Sequence, residues 1–426
     1  MQKIMRMIMF SVAGSAMAWL GWHTQRPEVL ILLALIWRSG RTPERFSALL
    51  AYYLVLANGI PDAYRQFFPD HPGWHGIGWW LLQAVVLASP ALIFRKPWGW
   101  TACLVLAAIP PWAMISWGSP LLAAGWWFPG GGMAGLLAML ILNYLLAAGQ
   151  PGSPWQTSLA AGMLLWALIL HMHEKEMSLR LPPGWVALNT HSGRFSADPV
   201  QNVIRQQKLM RRVDQAINRG AKVVLLPESS ANIWTEASEY WWGGVIRHAA
   251  QQQAVVLIGA SQKLPSGQWQ DVMLLRGNQT GTVHSRVPIP LGLWNPFSQN
   301  AFTADWLSSG EFHLQGQRVA ASFCYEDLLL FPLLRSEWHA RPAILLSMAD
   351  DWFAAHSDES RLQTFSIGLQ ARLYGLPLLR ALDDHYSAQL APKAKSYHNH
   401  ANRDNSYKFF LAGNPPKQAL GSIHTN

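Results

Sequence analysis

Two patterns of hydrophobic and polar residues divide the chain near residue 174. Before it, long apolar stretches follow one another, and the run from Pro97 to His173 contains no Asp, Glu, Lys or Arg. After Gly184, short apolar runs alternate with amphipathic stretches of helical period. A membrane span needs about 20 apolar residues. The first half is therefore predicted to be a helical membrane domain, and the second half an α/β domain in water.

Seven membrane spans are predicted, with six as the close alternative. The segments are Ile8–Trp22, Pro27–Trp37, Phe46–Ile60, Gly76–Phe94, Trp98–Gly118, Met133–Gly149 and Trp155–Met172. The first two form a short hairpin. Residues 1–18 also have the pattern of a cleavable signal peptide, and cleavage would leave the downstream topology unchanged. Between two later spans, Gly118–Gly132 is predicted to be a re-entrant or interfacial segment that faces the polar domain.

Basic residues set the predicted orientation. Arg38, Arg41 and Arg45 cluster in one loop, and Arg95 and Lys96 lie in another loop on the same side. Because positive loops stay in the cytoplasm, five crossings after Arg45 place residue 174 outside. The polar domain is therefore expected on the non-cytoplasmic side of the membrane.

Composition narrows the function classes. The 426 residues are 50% hydrophobic and only 13% charged, with two cysteines and a net charge of +9. Two cysteines exclude a disulfide scaffold, and the absence of a dense basic patch argues against direct binding of nucleic acid. The later spans carry no ionisable group, which argues against an ion transporter. No phosphate-binding motif or zinc spacing occurs, so no cofactor or metal is expected, and His398 and His400 are interpreted as part of a polar loop.

The polar half is predicted to alternate strands with helices. Predicted strands are Val186–Asn189, Val223–Leu226, Ala254–Ile258, Val272–Leu275, Val319–Cys324, Ala343–Ser347 and Leu376–Ala381. Predicted helices are Pro199–Ile217, Tyr240–Gln251 and Leu362–Tyr374. This alternation is typical of an α/β fold with buried sheets.

Three motifs carry candidate chemistry. VVLLPESS places Glu228 directly after a buried strand, where a carboxylate can act as a base or simply pair with a helix terminus. VAASFCYEDLLL ends a strand at Cys324, and Glu326 and Asp327 are predicted to open a helix whose N-terminus favours a thiolate. The bland alternative for Cys324 is a small buried hydrophobic residue. A third motif, ADDWF, follows another strand and is uninformative alone.

Together and in this order, the motifs resemble those of the nitrilase (carbon–nitrogen hydrolase) superfamily. PESS is similar to its glutamate base motif, CYED to its C-Y-E nucleophile motif, and ADDWF to N-D-x-W-F. With the spans in front, nearly all of residues 1–390 resembles the apolipoprotein N-acyltransferases, and most closely the plasmid conjugal transfer proteins of the TraB family. The resemblance implies an α-β-β-α sandwich, Cys324 as nucleophile, Glu228 as base and Glu326 as a supporting residue.

The chain departs from the family at its catalytic lysine. Ser285 stands at the lysine's spacing, Arg286 lies one residue later, and Leu293 replaces the glutamate of P-F-G-E. No lysine lies between Lys263 and Lys393. Arg286 is therefore the candidate replacement cation, able to stabilise an oxyanion but not to give up a proton near neutral pH.

The resulting prediction is a membrane domain over residues 1–173, a nitrilase-like domain over 184–392 and a polar tail over 393–426. By resemblance, Cys324 would take an acyl group from a phospholipid as a thioester and pass it to an amine acceptor. Implied partners are the phospholipid membrane, an acyl acceptor and conjugal transfer proteins. The alternatives are an inactive nitrilase-fold membrane component that supports conjugation, and a periplasmic amidase.

Overall fold

The computed structural model describes residues 1–149, 154–174, 179–290, 292–298, 301–354 and 357–383. The predicted polar tail, with His398 and His400, lies outside the described residues, as does the end of the predicted 184–392 domain.

The described residues of the N-terminal half form ten α-helices, with short π and 3-10 segments between some of them. They are α1 (Gln2–Ala18), α2 (Leu33–Ser39), α3 (Thr42–Leu56), α4 (Ile60–Phe67), α5 (Trp74–Ala88), α6 (Pro90–Ile93), α7 (Trp98–Leu106), α8 (Ala124–Trp127), α9 (Gly132–Ala148) and α10 (Pro154–Glu174). The start of α3 shows how local sequence sets a boundary. Pro43 occupies the first turn, and the Glu44 carboxylate accepts a hydrogen bond from the Arg41 backbone N–H, which together favour helix initiation.

Three helical segments of the described chain are long and apolar enough to cross a membrane, fewer than the seven predicted spans. They are Gln2–His23, Trp74–Ile93 and Pro154–Glu174. A fourth candidate, Pro120–Trp127 with Gly132–Ala148, is bent by 119°, as a broken span or re-entrant loop would be. The predicted span Trp98–Gly118 is helical only to Leu106, because Pro110 and Pro111 cannot continue a helix. The seven-span count therefore stays a prediction.

The part of the C-terminal half that the structure describes contains nine strands and four further α-helices. The strands are β1 (Trp185–Ala187), β2 (Val223–Leu225), β3 (Val255–Lys263), β4 (Trp269–Gly277), β5 (Gly281–His284), β6 (Glu311–Leu314), β7 (Gln317–Phe323), β8 (Ile344–Asp350) and β9 (Leu378–Asp383). The helices are α11 (Pro199–Asn218), α12 (Glu236–Gln251), α13 (Leu330–Ala340) and α14 (Glu359–Tyr374).

Two sheets pack face to face between two helical layers. One sheet has the order β1-β2-β3-β4-β5 and the other β6-β7-β8-β9. Their facing residues, including Leu257, Phe323 and Leu346, form one buried core. Helices α11 and α12 cover the outer face of the first sheet, and α13 and α14 that of the second. This is the α-β-β-α order that the resemblance implied.

Most predicted elements of this half are present, with boundaries displaced by a few residues. Two strands were not predicted, β5 and β6. Strands β6 and β7 form a hairpin with Leu314 paired to Gln317, and the two loop residues Gln315 and Gly316 both have positive φ. The helix expected from Glu326 is instead a short 3-10 turn, Cys324–Leu328, and α13 begins only at Leu330.

The two halves share a core through helix α14. Leu362, Leu369 and Leu373 of α14 belong to the same buried cluster as the residues of the N-terminal helices. Gly125 of α8 lies so close to the Leu369 carbonyl that a Cβ would overlap it. The predicted re-entrant segment therefore does face the polar half.

Candidate active site

The candidate nucleophile and base lie at the ends of strands in opposite sheets. Glu228 follows β2 after Leu226 and Pro227, and Cys324 follows β7 directly. Gly259 of β3 lies against the Pro227 carbonyl, where a side chain would not fit. Because Gly259 has no Cβ, β3 can pack directly against the loop that carries Glu228.

Cys324 has a strained backbone and a buried thiol. Its φ of +27° is rare for a residue with a side chain, and such strain is typical of functional positions. The sulfur lies 3.8 Å from Asp351 Oδ1 and 4.0 Å from the Asp350 carbonyl oxygen. Burial raises the pKa of this thiol well above its usual value, and the negative charges of Glu228 and Asp351 raise it further. The resting group is therefore a thiol, which needs a base before it can attack.

Glu228 has the properties of that base. The neighbouring Cys324 thiol lowers the pKa of its carboxyl, but burial and the charges of Asp271 and Asp350 act more strongly in the other direction. The pKa of Glu228 is therefore raised well above its usual value. A carboxylate tuned upward in this way is a better proton acceptor near neutral pH than an ordinary glutamate.

Three aspartates around this pair were not predicted as site residues. Burial raises the pKa of Asp351 to about 6, although Arg380 opposes the shift, and burial raises that of Asp271 to about 6 as well. The pKa of Asp350 is raised well above its usual value by burial and by Asp383. The motif ADDWF contains Asp350 and Asp351, but the motif alone does not show that β8 ends beside Cys324.

Arg286 lies in a buried ion pair with Glu326, 2.9 Å away. Arg286 is 2% exposed and Glu326 is 1% exposed. The remaining guanidinium donors are bonded to the carbonyls of Ser309, Pro332 and Ala321 and to the Ser336 hydroxyl. The expected role of Arg286 as a replacement for the family's lysine at the thiol stays a prediction that none of these contacts supports. The contacts fit a structural ion pair better than a charge directed at Cys324.

Glu326 also binds the segment in which the family has its lysine. Its Oε1 accepts hydrogen bonds from the Ser285 hydroxyl at 3.2 Å and from the backbone N–H groups of Arg286 and Val287. Glu326 thus holds the backbone of Arg286 and Val287 in place, and its role as a supporting residue of the site stays a prediction. Leu293 lies in a loop and is half-buried.

A different arginine lies next to the nucleophile. Arg380 of β9 is bonded to Asp327, to the Ser347 hydroxyl at 2.5 Å and to Gln363 Oε1 at 2.6 Å. Its Nη2 is 3.9 Å from Asp351 Oδ2. The sequence signal was a single arginine inside the apolar strand LPLLRAL. A buried arginine needs hydrogen-bonding or charged partners.

The arrangement combines a strained cysteine, a tuned carboxyl base and a nearby guanidinium. It can transfer a proton from thiol to carboxylate and form an acyl-cysteine. Among the residues that the structure describes, no group of three or more His, Cys, Asp or Glu side chains could hold a metal ion.

Known proteins agree with the sequence resemblance. The chain is 26% identical over 414 residues to "Conjugal transfer protein TraB" of Agrobacterium fabrum, covering 89% of this chain and 93% of that protein. The chain is similar to TraB over most of its length. A probable conjugal transfer protein TraB of Sinorhizobium fredii is 25% identical over 389 residues, which cover 87% of this chain and 95% of the relative. The predicted resemblance to TraB is confirmed.

No protein-family model matches the TraB-like chain. Among solved structures, an amidase from Nesterenkonia sp. is 13% identical with a TM-score of 0.36, covering 49% of this chain and 80% of its own. A carbon–nitrogen hydrolase from Helicobacter pylori G27 is 14% identical with a TM-score of 0.35, covering 46% and 72%. Nitrilase-type neighbours thus cover about half of the chain.

Proposed function

We propose that this TraB-like protein is a membrane-bound acyltransferase-type enzyme of plasmid conjugal transfer, with Cys324 as nucleophile and Glu228 as base. One observation carries the chemical part of the proposal: the Glu228 carboxyl lies beside a cysteine thiol held at positive φ, close enough for each group to shift the pKa of the other. The names of the TraB relatives support the conjugal role.

The proposed reaction has two steps. In the first, Glu228 takes the thiol proton, and the sulfur attacks the ester carbonyl of a phospholipid. The C–O bond breaks, Glu228 protonates the leaving alkoxide, and an acyl thioester remains on Cys324. In the second step an amine attacks the thioester, its proton passes to Glu228, and the departing thiolate is reprotonated. Acyl group and protons balance without a cofactor.

The membrane location follows from the same proposal. Apolar helices α1, α5 with α6, and α10 anchor the chain in the bacterial inner membrane, and the basic loops of Arg38–Arg45 and Arg95–Lys96 face the cytoplasm. The polar half then lies in the periplasm, next to the outer leaflet. The shared core through α14 supports a site close to the lipid surface.

The acyl-enzyme is tested by mass spectrometry of the full-length protein incubated with phospholipid vesicles. We expect a mass increase of one acyl chain on the peptide that contains Cys324, and none in Cys324→Ala. Cys324→Ser should be nearly inactive, because a serine hydroxyl needs a stronger base. Cys103→Ala is the matched control, since Cys103 is buried among the N-terminal helices and its loss should leave labelling intact. Absence of any adduct on the parent protein would refute the proposal.

A second candidate is a non-catalytic nitrilase-fold component of the conjugation apparatus. The observation that favours it is the engagement of Arg286 by Glu326, while Ser285 stands at the lysine's spacing. Ser285→Lys restores the family pattern. Acyl labelling that appears in this variant and not in the parent, together with normal conjugation by Cys324→Ala, would establish the second candidate over the first.

A further inference from the structure

Helix α14 brings a buried amide to the nucleophile. Gln363 Nε2 lies 2.6 Å from the carbonyl oxygen of Cys324 and 3.5 Å from its sulfur. Gln363 is 3% exposed. One side-chain nitrogen therefore contacts both the strained backbone and the reactive atom of the same residue.

The orientation of this amide is determined by its other partner. Gln363 Oε1 accepts a hydrogen bond from Arg380 Nη2 at 2.6 Å. Because a guanidinium has donors and no acceptor, the amide oxygen must face Arg380 and the NH₂ group must face Cys324. A flipped amide would place two donors against each other at Arg380.

Arg380 is itself held in place from the opposite side. The buried Asp327 carboxylate and the Ser347 hydroxyl bind its Nη1, and Asp327 in turn is bonded to the hydroxyls of Ser322 and Ser347. A series of hydrogen bonds thus connects Asp327 through Arg380 and Gln363 to the thiol of Cys324.

We propose that Gln363, oriented by Arg380, is a positioning residue that holds Cys324 in its left-handed conformation and donates a hydrogen bond to the sulfur when the thiolate forms. The proposal rests on the proposed function in that Cys324 is the nucleophile. The positive charge of Arg380 polarises the amide from behind, and charge-assisted hydrogen bonds are the stronger ones. The amide thereby supplies part of the electrostatic support that the missing lysine cannot give.

The test is the pH dependence of Cys324 alkylation by iodoacetamide in full-length Cys103→Ala protein, where Cys324 is the single thiol. Gln363→Leu should raise the midpoint of the alkylation profile by about one to two pH units, since a hydrogen bond to a charged group is lost. Gln363→Glu retains a partner for Arg380 but presents an acceptor to the sulfur, so its midpoint should rise at least as far. This second variant tests the donor role even if the leucine variant folds poorly.

Gln370→Leu is the matched control. Gln370 is a second buried amide on α14 that bonds to a backbone carbonyl, that of Asp327, and is not a bonding partner of Cys324. Its midpoint should stay at the parent value. Arg380→Lys keeps the charge but loses the planar fork, and it should give a smaller upward shift than Gln363→Leu.

Three results would overturn the inference: an unchanged midpoint in folded Gln363→Glu, an equal shift in Gln370→Leu, or an unchanged midpoint in Arg380→Lys, which would remove Arg380 from the positioning chain. Alkylation needs no acyl donor. A shifted midpoint without any acyl adduct on the parent would therefore refute the proposed function and leave this inference standing. An acyl adduct on the parent with an unchanged midpoint in Gln363→Glu would refute this inference and leave the proposed function standing.

Discussion

Replacing Arg286 with methionine tests whether this residue stabilises the fold or the reaction. Methionine keeps much of the side-chain length and removes the charge, so Glu326 is left buried without its counter-ion. All bonding partners of the Arg286 guanidinium lie inside the domain. The structure therefore predicts a loss of stability in the protein itself, present with or without substrate.

The magnitude follows from the burial of both partners. Breaking a buried ion pair by removing one member costs about 3–5 kcal/mol, because the remaining charge is uncompensated. For a domain of about 200 residues, each kcal/mol shifts the melting temperature by about 2–4 °C. Arg286→Met should therefore melt roughly 6–20 °C below the parent. In the double variant with Glu326→Gln no charge is left uncompensated, while the amide oxygen can still accept from the backbone N–H groups, so the double variant should melt above the single one.

The assay is thermal unfolding of the detergent-solubilised full chain, followed by tryptophan fluorescence. Arg318→Met is the matched control, since Arg318 is exposed and its guanidinium donates to the Ala340 carbonyl on the surface of the domain; the melting temperature of this variant should stay near that of the parent. If Arg286→Met melted like the parent and yet abolished acyl labelling of Cys324, the structural interpretation would be refuted and the oxyanion role restored.

Three further outcomes are expected. Gly310→Ala should destabilise the fold by about 1–3 kcal/mol, because φ is +64° and the new Cβ would lie 2.6 Å from Arg286 Cζ; the same melting assay measures it, and a neutral result would contradict the packing. The pKa of Asp351, about 6 instead of 3.8, means that the folded state binds the extra proton. Stability should therefore fall as pH rises from about 4 to about 6, by up to roughly 3 kcal/mol, and melting curves of Asp351→Asn should be flatter there; equal slopes would refute the assignment. Alkaline phosphatase fused after Arg180 should be active in the periplasm, and activity only in a cytoplasmic reporter would reverse the predicted orientation.

Local sequence was sufficient for the elements that end at the site. VVLLPESS and VAASFCYED each combine a buried strand with polar residues directly after it, and both strands end one residue before the predicted position. Strand β6 escaped prediction because EFHL is short and only partly apolar. The adjacent Gln315-Gly316 pair was the available sequence signal for a hairpin turn. In the structure both residues have positive φ.

Partnerships between distant residues could not be predicted in the same way. Arg286 was one residue from the family's lysine, and proximity in sequence suggested a role at the thiol. Its actual partner, Glu326, lies 40 residues away in sequence, and only the packing of the second sheet brings them together. Arg380 and Gln363 approach Cys324 from a strand and a helix whose relative rotation no single-sequence pattern specifies.

Helix α14 has one face on the thiol and another among the N-terminal helices. Gln363 of this helix contacts Cys324, and Leu369, six residues later, packs directly on Gly125. In the proposed membrane location, a bilayer that is too thin or too thick for the N-terminal helices would tilt them, and the tilt would reach α14 at this close contact. If the proposed location is correct, the rate at which Cys324 reacts with a soluble alkylating agent should therefore change with the thickness of the bilayer into which the protein is reconstituted.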